Sequence, residues 1–149
     1  MGMSRATELG NKARRYYTGA AVPVRAIRGF ARAVAKRFHP DKIILFGSYA
    51  YGTPHEDSDV DILVVMPCRN QIDAALLIHD AIEPPFPLQL IVRTPYNLGW
   101  RLAERESFHT EIVTQGKLLY EKGRSRVGPK GRKGLSRRSP HGNRKRAVV

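Results

Sequence analysis

The chain has 149 residues, which is enough for one domain with a hydrophobic core but not for two. Its charge is uneven: 26 Lys and Arg residues stand against 13 Asp and Glu, and ten of the basic residues lie in 123–149, which holds no acidic residue. In the rest of the chain, the numbers of basic and acidic residues are nearly equal. The net positive charge therefore comes mostly from the C-terminal segment and says nothing about the class of fold. The single cysteine, Cys68, excludes an internal disulfide, and no apolar run is long enough to span a membrane. We therefore expect a cytoplasmic protein that does not enter the membrane.

The N-terminal part is predicted to contain a flexible basic arm over residues 1–23 and then a helix from Pro23 to about Phe38. Apolar residues at helical spacing form one stripe for the core: Val24, Ile27, Phe30 or Ala31, Val34 and Phe38. Basic residues share another face: Arg25, Arg28, Arg32 and Lys36. That basic face is either simply solvated or attracts a polyanion or an acidic partner.

A strand and a tight turn follow the helix. The apolar run 43–46 predicts a strand, which Gly47 and Ser48 interrupt. Gly47 lets another group approach the backbone closely, and Ser48 is predicted to cap a helical turn that Gly52 ends. The free N–H groups at such a helix start suit a phosphate.

Two carboxylates open the next apolar run, separated from Ser48 by ten residues. Asp59 and Asp61 are two positions apart, so a strand would point them to the same face. Two carboxylates beside a phosphate-binding turn are suited to holding Mg²⁺ or Mn²⁺ against a nucleoside triphosphate. A Gly-Ser turn or an Asp-x-Asp strand end is common alone, and it is the combined spacing that favours a nucleotide site.

The remaining elements alternate between helices and strands. A helix from Gln71 to about Glu83, capped by Asn70, is apolar nearly all round and is expected to be well buried. A third strand, 88–92, precedes a helix that Thr94 is predicted to cap, with Pro95 in its first turn, and that runs to about Arg105. A last helix, 107–115, with Ser107 as a possible cap, and a short strand, 117–120, complete the domain. The five histidines show no zinc-binding spacing.

The composition changes again after the last predicted strand. Residues 122–149 are rich in Gly, Ser, Pro, Arg and Lys, which predicts a disordered basic tail. Such a tail either contacts nucleic acid non-specifically through its charge or has no specific function.

Gly47-Ser48, the ten-residue spacer and Asp59-Val60-Asp61 resemble the signature of the DNA polymerase beta-like nucleotidyltransferase superfamily, and the chain is similar in size to its minimal members. The resemblance extends to about Tyr120. It implies a nucleotidyltransferase fold of the α/β (α+β) class, with a mixed sheet of three or four strands and packed helices over residues 24–121. It also implies metal-dependent transfer of a nucleoside monophosphate, expected to be AMP from ATP, to an acceptor hydroxyl.

The same resemblance assigns roles to individual residues. Gly47 and Ser48 would bind the triphosphate, and Asp59 and Asp61 would be the catalytic carboxylates that hold Mg²⁺ or Mn²⁺. Arg93 of the Arg93-Thr94-Pro95 segment is either a phosphate contact or a surface arginine at a strand end. Small family members often act as antitoxins by adenylylating a helical HEPN-type partner, which would supply the acceptor here.

One position departs from the family pattern. The family has a third carboxylate in the third strand, four residues before the Arg-Thr-Pro arginine, and this chain has Gln89 there. Glutamine can offer an oxygen to a metal but cannot take a proton at neutral pH. Three explanations stay open: a slow transferase, a nucleotide-binding relic, or substitution by another acid such as Glu56 or Asp57.

Two other classes of function therefore compete with the transferase. A catalytically weakened nucleotide- or partner-binding module is favoured by Gln89. A basic nucleic-acid-binding accessory is favoured by the tail and by the basic helix face.

Overall fold

A four-stranded sheet forms the centre of the computed structural model, which describes residues 15–123. In chain order the elements are α1 (Val24–Phe38), β1 (Lys42–Phe46), α2 (Ser48–Tyr51), β2 (Val60–Val65), α3 (Gln71–Ala81), β3 (Leu88–Arg93), α4 (Pro95–Ala103), α5 (Ser107–Gln115) and β4 (Lys117–Glu121). The strand order is β3-β2-β1-β4. β1 pairs antiparallel with β2 and with β4, and β2 pairs parallel with β3. The predicted mixed sheet with packed helices is thus confirmed.

The strand register brings three strand ends to one edge of the sheet. Asp61, near the start of β2, lies opposite Phe46 at the end of β1 and opposite Gln89 near the start of β3. The helix α3 makes the crossover that a parallel β2–β3 pair requires. This edge therefore holds both the turn after β1 and the second aspartate of the predicted metal pair.

Alternation along the strands divides the core into two layers. One face of the sheet packs against α1 and α3, through residues such as Leu45, Ile62 and Val92. The other face packs against α4 and α5, where Leu63 and Phe46 meet Leu98 and Ile112. Because Asp61 is two residues before Leu63, its side chain lies on the α4–α5 face.

The helix α1 buries most of the apolar stripe predicted for it. Ile27, Phe30, Ala31 and Val34 are buried, while Val24 in the first turn is exposed, contrary to the prediction. The predicted basic residues, namely Arg25, Arg28, Arg32 and Lys36, are all exposed. Pro23 occupies the N-cap position, so the helix proper begins at Val24.

The helix α3 is much less buried than its composition predicted. Ile72, Leu76 and Leu77 are 72%, 64% and 59% exposed, whereas Ile78 is fully buried. The reason is geometric: α3 packs on one face of the sheet, and within the described residues no second layer covers its outer side. Its end at Ala81 and the end of α4 at Ala103 also fall two residues before the predicted ends.

Part of the predicted N-terminal arm contacts the domain. The Tyr17 N–H donates to the Pro85 carbonyl at 2.8 Å, the Tyr49 hydroxyl donates to the Gly19 carbonyl, and Val22 is buried. The packed region therefore begins before Val24. The rest of the arm, residues 1–14, and the tail from residue 124 onward lie outside the described residues. Within residues 15–123, no helix has the length and apolar character needed to cross a membrane.

Candidate active site

The turn after β1 is built around the absence of a side chain at Gly47. Gly47 has φ +76°, a conformation that L side chains rarely adopt. A Cβ added there would lie 2.0 Å from Asp61 Oδ2, which is closer than any real contact. Gly47 is therefore needed for two independent reasons, and the turn backbone lies directly against the carboxylate of Asp61.

A cavity of about 230 Å³ opens at this point of the sheet edge. It is lined by residues of β1, β2 and β3, of the turn, and of the helices α2 and α5: Phe46, Gly47, Tyr51, Asp61, Gln89, Phe108, Glu111 and Ile112. Three of the sequence-predicted site residues, Gly47, Asp61 and Gln89, thus meet in one cavity. Asp59 lies just before β2 and is exposed.

The carboxyl group of Asp61 is electrostatically unusual. Burial, and secondarily the charge of Asp59, raises the pKa of Asp61 to about 6. Both causes disfavour the negative charge of Asp61 when nothing compensates it. A positively charged ligand between Asp59 and Asp61 would remove that penalty.

The donor atoms at the edge fit a hard divalent cation. Asp59 and Asp61 supply carboxylate oxygens and Gln89, opposite Asp61, supplies an amide oxygen, which are the ligand types that Mg²⁺ and Mn²⁺ prefer. Within residues 15–123, no three His, Cys, Asp or Glu side chains come together as a metal-binding group. If a cation binds here, two carboxylates and an amide are the protein oxygens that would hold it, with phosphate oxygens as further ligands.

Ser48 has a different local role from the one predicted. Gly47, and not Ser48, is the N-cap of α2, and the Ser48 side chain makes no capping hydrogen bond. Its hydroxyl instead donates to Ser58 Oγ at 2.9 Å, and Ser58 Oγ also accepts from the His55 N–H at 2.9 Å. Ser58 is buried and precedes Asp59, so this contact ties the Gly47-Ser48 turn to the loop that presents the aspartates. The predicted end of α2 is confirmed, because Gly52 adopts φ +81°.

Arg93 lies on the same sheet face as Gln89 but not in the cavity. Its Nε donates to His109 Nε2 at 3.0 Å and its Nη1 donates to the Val92 carbonyl at 3.0 Å. His109 Nδ1 lies 2.6 Å from Glu106 Oε1, and Glu106 accepts from Arg101 Nη1. This network anchors α5 to the end of β3 and to α4. The phosphate contact predicted for Arg93 stays a prediction.

Two polar residues of the cavity, Tyr51 and Glu111, were not predicted as site residues from the sequence. The Tyr51 hydroxyl donates to Glu111 Oε2 at 3.0 Å, across a separation of 60 residues. Burial, then the hydrogen bond and charge of Glu111, raise the pKa of Tyr51. In the sequence, helical spacing shows only that Phe108, Glu111 and Ile112 share one helix face. That spacing does not show which part of the sheet the face covers.

Comparison with known proteins identifies a matching family, a similar sequence and a similar structure. The model of a family described as "Nucleotidyltransferase domain" matches residues 27–113. A Methanocaldococcus jannaschii protein named "Putative protein adenylyltransferase MJ0604" is 31% identical over 98 residues, which are 64% of this chain and 96% of that protein. A crystal structure described as "a putative nucleotidyltransferase from Sulfolobus solfataricus" covers 69% of this chain and 84% of its own, with 19% identity and a TM-score of 0.46.

The family match covers more than half of the chain, from α1 to α5, and includes the turn, both aspartates and Gln89. The relative from M. jannaschii is matched over nearly its whole length. The chain therefore belongs to the nucleotidyltransferase domain family.

Proposed function

We propose that this protein is a metal-dependent nucleotidyltransferase that transfers AMP from ATP to an acceptor hydroxyl. The observation that carries the proposal is the meeting of Gly47, Asp61 and Gln89 around one cavity at the sheet edge. The cavity, about 230 Å³, is smaller than the roughly 300–1,000 Å³ of typical small-molecule sites. It therefore suits the phosphate end of a nucleotide, with the base remaining nearer to solvent.

Each residue contributes a separate part of the reaction. The absence of a side chain at Gly47 lets the turn backbone lie against Asp61, so a phosphate bound beside Asp61 would also be close to that backbone. Asp59 and Asp61 would hold Mg²⁺ or Mn²⁺, with the Gln89 amide beside them. When bound, such an ion neutralises triphosphate charge and polarises the phosphoryl group. The hydrogen bond between Ser48 and Ser58 keeps the turn and the aspartate loop in register.

A protein is the acceptor that we favour. The M. jannaschii relative bears a protein adenylyltransferase name, and the apolar outer side of α3 offers a surface for a partner. A helical HEPN-type protein neutralised by adenylylation, in a cytoplasmic toxin–antitoxin pair, is the form of this proposal that the family resemblance suggests.

The test combines binding with transfer. Calorimetry should detect ATP binding that requires Mg²⁺ or Mn²⁺, and the double variant Asp59→Asn with Asp61→Asn should lose it. ATP labelled at the α-phosphate should transfer label to a co-purifying protein, whereas ATP labelled at the γ-phosphate should not. The variant Asp73→Asn with Asp80→Asn on α3 removes the same number of carboxylates away from the cavity and serves as the control for the ATP-binding measurement. Equal affinity in the Asp59/Asp61 variant would exclude the metal site.

The alternative function is a binding module that retains the nucleotide site without chemistry. Gln89 favours it, because the strand position opposite Asp61 lacks a carboxylate. Metal-dependent ATP binding without any release of pyrophosphate would identify this alternative. A nucleic-acid-binding accessory is a third candidate, favoured by the exposed basic face of α1, and salt-sensitive retention of RNA or DNA would identify it.

A further inference from the structure

The site lacks a base on β3, and the structure shows which other acids are near. Glu56 and Asp57, the two substitutes considered from the sequence, are exposed residues of the loop before β2 and do not line the cavity. Among the described residues that line it, Asp61 and Glu111 are the two carboxylates. Asp61 is assigned to the metal, so Glu111 is the carboxylate of the cavity that remains as a candidate base.

Glu111 approaches the cavity from the helix layer and not from the sheet. It lies on α5, whose Ile112 packs into the core and whose His109 is held by Arg93. Phe108, one turn earlier on the same helix face, packs edge-to-face on Phe46 with ring centroids 5.8 Å apart. These contacts fix α5 over the sheet edge, so the position of Glu111 relative to Gln89 is set by the packed core.

We propose that Glu111 is the base that accepts the proton of the acceptor hydroxyl, in place of the carboxylate that Gln89 lacks. This inference rests on the proposed function. Tyr51 is a positioning residue: its hydroxyl donates to one Glu111 oxygen and leaves the other available to the acceptor. A general base must lie within hydrogen-bond reach of the proton that it removes, and the bond from Tyr51 holds the Glu111 carboxylate at the cavity where the acceptor would enter.

The proposed step moves the adenylyl group to the acceptor and one proton to Glu111. The acceptor O–H bond breaks and its proton passes to the Glu111 carboxylate. The acceptor oxygen forms a bond to the α-phosphorus of ATP, while the bond from that phosphorus to the bridging oxygen of the β-phosphate breaks. Pyrophosphate leaves with the electron pair of that bond. Glu111 then releases its proton to solvent.

A purely structural role for Glu111 makes a different prediction. If the Tyr51–Glu111 hydrogen bond only holds α2 against α5, Glu111→Gln should have little effect on activity, because an amide oxygen still accepts the hydrogen bond. Tyr51→Phe should then be the more damaging change, because phenylalanine cannot donate. If Glu111 is the base, the order is reversed.

The experiment measures pyrophosphate released from ATP and Mn²⁺ with water as the acceptor, together with ATP affinity by calorimetry. Glu111→Gln should lower the release rate by about 10²–10⁴-fold while leaving ATP affinity and the melting temperature near those of the parent. Tyr51→Phe should cost less than Glu111→Gln. Glu104→Gln, which removes an exposed acid at the end of α4, is the matched control and should release pyrophosphate at the parent rate.

A rescue variant separates the base from any other role. Adding Gln89→Asp to Glu111→Gln restores a carboxylate on β3, so release should recover most of what was lost. Parent-like release in Glu111→Gln, or failure of the rescue, would overturn the inference while leaving the proposed function standing. Release by Gln89→Asp but none by the parent would also overturn it. Loss of metal-dependent ATP binding in the parent protein would instead overturn the proposed function.

Discussion

Gly47 lies so close to Asp61 that a side chain at position 47 would collide with the Asp61 carboxylate. A Cβ there would meet Asp61 Oδ2 at 2.0 Å and Asp61 Cγ at 3.0 Å. The glycine of the turn and the aspartate of β2, 14 positions apart in the sequence, thus form one structural unit. Changes to either residue should affect both the turn after β1 and the carboxylate.

Gly47→Ala should therefore damage stability and binding together. The positive φ and the collision with Asp61 should lower the free energy of unfolding by about 1–3 kcal/mol, measured by urea denaturation. ATP affinity should fall in parallel. Gly99→Ala in α4 is the control: its Cβ would meet nothing within 4 Å, and alanine is the better helix former. If the Gly47→Ala protein were as stable as the parent, position 47 would not lie against Asp61 as described.

Asp61→Asn should stabilise the metal-free protein near neutral pH. The pKa of Asp61 is raised from 3.8 to about 6, mainly by burial, so the folded state holds the proton more strongly than the unfolded state. The stabilisation that protonation provides is present below about pH 4 and is lost as the pH rises to about 6. The advantage of the variant should grow over that interval in urea unfolding with EDTA. Asp80→Asn, outside the cavity, gives the background effect of removing a carboxylate. If the stability gained by Asp61→Asn did not change with pH, the raised pKa of Asp61 would be refuted.

His109→Gln should change the pH dependence in the opposite direction. Burial first, and the charges of Arg93 and Arg101, lower the pKa of His109, while the Glu106 carboxylate opposes this. The folded state thus keeps His109 neutral, and its stability contribution is lost as the pH falls below about 6.5. Compared with the variant, the parent should lose more stability between pH 7 and pH 5. His79→Gln on the exposed side of α3 is the control, and parallel curves for parent and His109→Gln would exclude this role.

Gln89→Asp should make the protein more dependent on metal. The new carboxylate would stand opposite Asp61, where a further charge is costly without a cation. The apo variant should therefore melt at a lower temperature than the parent, and Mg²⁺ or Mn²⁺ should raise its melting temperature by more. Gln71→Asp is unsuitable as a control, because the Gln71 side chain accepts the Thr94 N–H, so Gln115→Asp at the end of α5 is used. No difference in the metal response would show that position 89 is not beside the metal.

Neighbouring apolar residues of α3 should differ sharply in their contribution to stability. Ile78 is 0% exposed, so Ile78→Ala should lower the free energy of unfolding by about 2–5 kcal/mol. Leu77, the preceding residue, is 59% exposed, so Leu77→Ala should change it by only about 0.5 kcal/mol. Equal losses, measured by chemical denaturation, would mean that the outer side of α3 is covered in solution.

Local patterns were sufficient for much of the fold. The strands were predicted close to their observed positions, because short apolar runs between Gly and Pro breaks limit where a strand can form. The Asn70 and Thr94 caps were also predicted correctly, since a cap is a contact between residues two or three positions apart. The burial of α3 was overestimated, because the apolar composition of a helix does not determine how many other elements pack against it.

The sequence by itself identified Asp59 and Asp61 as a pair on one strand face and Gly47 as a turn residue, because spacing along a strand and the conformational freedom of glycine are local properties. The substitution at Gln89 was recognised only through the resemblance to the nucleotidyltransferase superfamily. Only the tertiary structure decided that Gln89 lies opposite Asp61, that Arg93 is held by His109, and that Glu111 and Tyr51 enter the same cavity. Those relationships join residues 16 to 60 positions apart. They depend on the strand register and on the packing of α5 across the sheet, which no local pattern encodes.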